Sequence, residues 1–142
     1  MKSTGAIILA AGGASRFGKA KQLLEINGET LIDRACRVAM EVGCVPVLRV
    51  LGARAEEISE HSNPDGVSTI INKTWQDGMG ATLAFAVSEL ELRAANCESV
   101  LILLCDQPSI DAAMLQELVQ ASHQPGISIV LADSGETTGP PA

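Results

Sequence analysis

Aromatic residues are almost absent: two Phe, one Trp and no Tyr, 2% of a 142-residue chain. A core without rings has to be filled by Leu, Ile, Val and Ala, which suits parallel strands under crossover helices and leaves few surfaces on which bases stack. Basic residues are scarce too. Ten Lys and Arg stand against 17 Asp and Glu, for a net charge of −7 and a pI near 4.7, so the broad basic face that a nucleic acid or an anionic membrane requires is excluded. The four cysteines, Cys36, Cys44, Cys97 and Cys105, include no C-x-x-C pair and have no histidine nearby in sequence, which excludes a zinc set and predicts buried free thiols. His61 and His123 fall in a turn cluster and at a helix end and are predicted to be exposed and incidental. No serine sits in a G-x-S-x-G elbow, so covalent catalysis has no candidate. No stretch reaches membrane-spanning length, and the apolar run after Lys2 stops at Ala11, too short for a signal core plus cleavage region; the expected setting is cytoplasmic.

What is present reads as a single domain over residues 1–142, with 46% hydrophobic and 19% charged residues. Ala6 to Ala11 is apolar without alternation, as in a strand covered on both faces. Thr30 with Asp33 resembles a capping box, Leu31 to Val42 keeps helical spacing, and Gly43 stands where a helix ends in the left-handed conformation. Further strands are predicted at Val45–Leu51, Val67–Ile71, Val100–Leu104 and Ile127–Ala132. Helices are predicted from Gly52 to about Glu60, from Ala81 to about Ala94, and after a cap at Asp111. Arg49, inside an apolar strand, has no account at this level. Regular alternation of strand and helix implies an α/β three-layer sandwich with a mainly parallel, Rossmann-like sheet. Ligands of such sheets bind at the carboxyl ends of the strands, where the first loop and Asp106 both emerge.

That first loop runs Leu9-Ala10-Ala11-Gly12-Gly13-Ala14-Ser15-Arg16-Phe17-Gly18-Lys19-Ala20-Lys21. Gly12, Gly13 and Gly18 permit positive φ and close approach of backbone N–H groups to an anion, and Arg16, Lys19 and Lys21 add charge. The bland alternative is a solvated loop. Residues 13–19 fit a Walker A loop, but Ala20 stands where a magnesium-holding hydroxyl is required, so a P-loop is rejected. On spacing alone, Asp106 reads as a carboxylate serving turn amides before Pro108. Trp75 reads as a packing anchor.

Together these segments resemble the MobA-like NTP transferases, molybdenum cofactor cytidylyltransferase type. The resemblance rests on Leu9-Ala10-Ala11-Gly12, Arg16-Phe17-Gly18, Lys21-Gln22-Leu23-Leu24, Trp75-Gln76-Asp77-Gly78-Met79 and Cys105-Asp106-Gln107-Pro108. It implies a Mg2+-dependent transfer of a cytidylyl group from CTP to a phosphate-bearing acceptor, molybdopterin with bound molybdenum, with release of pyrophosphate. Arg16, Lys21 and Asp106 would be catalytic and Asp106 the metal ligand. Leu9, Ala10, Ala11, Gly12, Gly13, Arg16, Lys21, Asn72, Gly78 and Asp106 would bind nucleotide, with Lys19 a surface neighbour and Asn72 equally a polar turn residue. Two other readings stand beside it: a non-catalytic nucleotide-binding module on the same scaffold, and a sugar-phosphate nucleotidyltransferase. Family members run longer, so the expectation includes a missing C-terminal strand, helix and second acidic ligand, and a homodimer or partner protein to cover the bare edge.

Overall fold

The computed structural model describes residues 3–127, 129–133 and 138–142, with Arg16, Asp133 and Thr138 described by backbone alone. Its centre is a four-stranded, wholly parallel sheet of β1 (Thr4–Ala10), β2 (Val47–Leu51), β3 (Val67–Ile71) and β4 (Ser99–Leu104), in the order β3-β2-β1-β4. Among the described residues, four α-helices complete the alternation: α1 (Leu31–Glu41), α2 (Ala55–His61), α3 (Met79–Arg93) and α4 (Ala112–Ser122). The architecture is the Rossmann-like α/β sandwich expected from the sequence.

β1 lacks hydrophobic alternation because it has cover on both faces. Ala6 and Ile8 share one core with Val47, Leu101 and Leu103, closed by Ala35, Val38 and Ala39 of α1 and Leu115 of α4. Ile7 and Leu9 turn to the other side, where they meet Leu48, Val50 and Ile70 under Ala86 and Leu90 of α3. Ile7, Ile8 and Leu48 are fully buried, each contributing about 1.5–3 kcal/mol of transfer free energy.

The helix signals hold locally. Thr30 Oγ1 accepts the Asp33 amide at 3.2 Å, Asp111 Oδ1 accepts the Met114 amide at 2.9 Å, and Gly43 takes φ +95° after α1. The capping box is not reciprocal, because the Asp33 carboxylate accepts instead from the Ser62 hydroxyl. Two hairpins, Ser15–Arg16 with Lys19–Ala20 and Glu25–Ile26 with Glu29–Thr30, lie between β1 and α1. Each has a two-residue loop with both φ positive, Phe17-Gly18 and Asn27-Gly28, the geometry that matches strand twist. Phe17 stands 98% exposed at its tip.

The strand expected at Ile127–Ala132 is corrected. Ser128 lies outside the described residues, and the others form no ladder with the four-stranded sheet; only Ala132 pairs, with Asp133 in a short hairpin to Thr138–Gly139. The edge of β4 is engaged differently: Ile102 exchanges both backbone hydrogen bonds with Ala142, at 2.7 and 3.1 Å.

Arg49 is resolved by the fold. It lies on the α1 face of β2, 1% exposed, and donates to Thr69 Oγ1 (2.7 Å), Ser62 Oγ (2.8 Å) and Ser62 O (2.7 Å). Burial lowers its guanidinium pKa, an effect that neighbouring Asp33 opposes. A buried cation is tolerated when its donors are met, and here the Ser62 hydroxyl relays it to the Asp33 carboxylate.

Candidate functional site

From β1 the chain steps outward through β2 to β3 and then returns across the sheet to β4 on the other side of β1, so the strand order reverses at β1 and a crevice opens at its carboxyl end. A cavity of about 410 Å3 occupies that crevice. Its walls are the loop after β1, the turn that begins at Lys21, the Trp75–Met79 segment and the end of β4 through Asp106. Of the residues expected at the site, Leu9, Ala10, Ala11, Gly12, Lys21, Gly78 and Asp106 line it. Gly13 does not; it faces Ala53 and the Trp75 ring. The Arg16 side chain is outside the described atoms, and its backbone lies in the hairpin beside the loop.

The loop presents its backbone without needing left-handed glycines. Neither Gly12 nor Gly13 has a positive φ; the left-handed residues are Phe17 and Gly18. Instead, the amides of Gly12, Gly13 and Ala14 make no hydrogen bond among the described residues, although the Ala11 carbonyl accepts from Ala53 and the Ala14 carbonyl from Lys21. Successive unbonded amides after a strand are suited to anionic oxygens.

Three residues outside the expected set hold this segment. Gln22, 5% exposed, donates to the carbonyls of Ala10 (2.9 Å) and Gly12 (3.0 Å). Arg54 donates to the Gly18 carbonyl at 2.6 Å, and Glu57 accepts the Ala20 amide at 2.9 Å while pairing with Arg54 at 2.7 Å. The Arg54 bond, then the Ala20 amide, hold the Glu57 carboxyl below its ordinary pKa. The sequence signals were slight: a glutamine after the key lysine, and an i, i+3 ion pair at a helix start.

Lys21 and Asp106 face each other across the cavity, Nζ to Oδ2 3.7 Å, with side chains 46% and 47% exposed. Among the described residues Asp106 is the sole acidic one lining it. Among the described residues no three His, Cys, Asp or Glu side chains gather into a metal cluster. One half-exposed carboxylate fits a hard cation shared with substrate phosphates and water, as magnesium is commonly held, and does not fit an all-protein cage. Beside it the Cys105 thiol is pushed up to about 12, mainly by burial, and is inert as a nucleophile. All four cysteines are free; Cys36 and Cys44 are buried as expected, Cys97 and Cys105 only partly.

On the opposite wall, Trp75 combines packing with lining. Its ring lies against Gly13 and Gly52 while contributing to the cavity surface. Gly52 was missed, and a Cβ there would lie 2.5 Å from the Trp75 Cβ. Asn72 is 4% exposed and sits behind the wall. Its Nδ2 donates to Thr82 Oγ1 at 2.9 Å, and its Oδ1 accepts from the Thr74 amide and hydroxyl. Thr82, not Asn72, reaches the cavity. His61 is exposed and His123 half-buried, and neither lines the site.

The MobA-like NTP transferase domain matches residues 6–142. The chain belongs to this family. It is 31% identical over 121 residues to a nicotine blue oxidoreductase of Paenarthrobacter nicotinovorans, covering 84% of this chain and 57% of that protein. It is 32% identical over 118 residues to a probable molybdenum cofactor guanylyltransferase of Opitutus terrae, covering 82% and 54%. The chain thus spans little more than half the length of either relative. Among solved structures, the rv0371c homolog from Mycobacterium sp. strain JC1 superposes with a TM-score of 0.80 at 25% identity, over 99% of this chain and 69% of the other. A nucleotidyl transferase from Methanothermobacter gives 0.72 at 26% identity, over 84% and 58%. No helix among the described residues is long and apolar enough to cross a membrane.

Proposed function

We propose that this MobA-like chain binds a nucleoside triphosphate in the crevice between β1 and β4 and transfers its nucleotidyl group to a phosphate-bearing acceptor of molybdopterin type, releasing pyrophosphate. The observation that carries the reading is the run of unbonded amides at Gly12, Gly13 and Ala14, in the loop that walls a cavity also lined by Lys21 and Asp106. The amides donate to phosphate oxygens. Lys21 neutralises charge that accumulates on departing pyrophosphate, and Arg16 is assigned the same role from the sequence. Asp106 would hold Mg2+ jointly with the triphosphate; the cation would supply charge neutralisation and in-line alignment. Positioning and electrostatics suffice, since phosphoryl chemistry requires no protein nucleophile.

CTP is the proposed donor, on the Leu9-Ala10-Ala11-Gly12 spelling together with Asp106-Gln107-Pro108. The guanylyltransferase relative makes GTP the competing donor. The relative named as an oxidoreductase favours a second reading, redox chemistry on the same scaffold, because a shared fold does not fix the reaction. Calorimetry with CTP, GTP and ATP in the presence of Mg2+ or Mn2+, followed by pyrophosphate release with molybdopterin-type and sugar-phosphate acceptors, tests the proposal. CTP binding tighter than GTP, with acceptor-dependent pyrophosphate release, is expected. Binding without release under every acceptor leaves a nucleotide-binding module.

A further inference from the structure

The Gln22 amide has a cost that packing does not explain. Its two N–H groups are both used, on the carbonyls of Ala10 and Gly12, and because both partners are acceptors the orientation of the amide is fixed. Its Oε1 is buried and has no partner among the described residues. A methionine or leucine fills the same space and leaves no orphaned oxygen, so the side chain is retained at this 5%-exposed position for its donor end.

What that end does follows from peptide geometry. In a trans peptide the carbonyl and the next N–H point in opposite directions. With the Ala10 and Gly12 carbonyls drawn to Gln22, the N–H groups of Ala11 and Gly13 are turned away from it, and Gly13 is in the middle of the three unbonded amides. Gln22 is itself set in the short 3-10 turn Lys21–Leu23. The fully buried Leu23 and a hydrogen bond from the Lys21 amide to the Ala14 carbonyl (3.0 Å) anchor that turn. One turn therefore carries both the site's lysine and the brace for its loop.

We infer that Gln22 is the positioning residue of the phosphate loop, holding the Gly12–Ala14 amides in the arrangement that receives a triphosphate; this rests on the nucleotide reading above. Gln22 borders the cavity, but both of its N–H groups are committed to the Ala10 and Gly12 carbonyls, so it has no donor left for a phosphate. Removing its donor releases two carbonyls, and the loop must then be ordered by the ligand at the ligand's expense in affinity.

The test uses the full chain and Gln22→Met, at a temperature where circular dichroism shows both folded. Calorimetry with magnesium tripolyphosphate and with magnesium CTP should give about tenfold weaker binding of both ligands to the variant. In ligand-free 15N–1H spectra the Gly12, Gly13 and Ala14 amide signals should broaden or divide, with the α4 amides unchanged. Gln22→Asn, whose shorter arm cannot reach both carbonyls, is read the same way and stands in if the methionine variant does not fold. Affinity within about twofold of the parent, or weaker binding with unaltered loop amides, overturns the inference. If the parent binds neither ligand the nucleotide reading falls, and the loop-amide spectrum alone decides whether Gln22 is the brace.

Discussion

Removing the partner of the buried Arg49 should destabilise the protein more than removing Arg49. Ser62→Ala deletes the hydroxyl that accepts from Arg49 at 2.8 Å and donates to Asp33. A hydrogen bond to a charged group is worth about 1.5–3 kcal/mol, and two such contacts are lost while the guanidinium stays 1% exposed. A cost of about 3 kcal/mol is expected, near the lower end for breaking a buried ionic network. Arg49→Met loses three hydrogen bonds but also removes the ion, and replacing buried charge by apolar volume is often neutral or favourable by about 1–4 kcal/mol. Against this stands the orphaned Ser62 carbonyl, about 1–3 kcal/mol, leaving a net change near zero to about 1 kcal/mol. In the methionine background Ser62→Ala should then cost about 1 kcal/mol, a coupling of about 2 kcal/mol. Urea unfolding followed by circular dichroism, with all four proteins at one pH, measures the cycle. Additivity within about 0.5 kcal/mol, or an Arg49→Met cost larger than that of Ser62→Ala, refutes the reasoning.

Lys21→Ala should weaken triphosphate binding by about 1.5–3 kcal/mol in calorimetry, whereas Lys19→Ala should change it far less; equal losses would remove Lys21 from its role. Asp106→Asn should abolish the dependence of nucleotide binding on Mg2+ while the melting temperature stays close to the parent's, because its ion pair with Lys21 is half-exposed; retained Mg2+ dependence would reduce Asp106 to a turn residue. The Glu57 carboxyl is held below its ordinary pKa, so its grip on the Ala20 amide is complete above that ordinary value and is lost as pH falls through the lowered one. Acidification should therefore accelerate amide exchange at Ala20 relative to α4, and Glu57→Gln should remove the acid-dependent part; identical profiles would show that the clamp does not hold the hairpin.

The parts of this molecule legible in its sequence are those set by neighbours along the chain. Continuous apolar runs at Ala6–Ala11 and Val100–Leu104 reported strands covered on both faces, and Thr30, Gly43 and Asp111 marked helix ends within a few residues. Ile127–Ala132 had the composition of a strand, but pairing is decided by a partner, and Ala142 engages β4 at Ile102 instead. The same distinction divides the site. Lys21 and Asp106 were visible as charged residues at strand-exit loops. Gln22 and Glu57 act on backbone atoms, those of Ala10 and Gly12 in one case and Ala20 in the other, and no side-chain pattern records a bond to a carbonyl or an amide. Asn72 has the chemistry to meet a ribose or a base, yet its amide is committed to Thr74 and Thr82.

The closeness of Gly52 to Trp75 separates two properties of the cavity that ordinarily change together. A side chain at 52 would meet the Trp75 Cβ at 2.5 Å, its Cγ at 2.9 Å and the Ala11 Cβ at 3.0 Å, so the obstruction lies at the root of the indole, where no rotamer relieves it. Trimming the ring would alter what the wall offers to a ligand without creating room at 52. Conversely, a methyl group at 52 would act as a wedge that displaces the Trp75 segment bodily. Position 75 is thus the dial for the chemistry of that wall and position 52 the dial for its distance from the loop. A lineage or an engineer seeking a larger ligand would gain width at 52 and selectivity at 75, in either order.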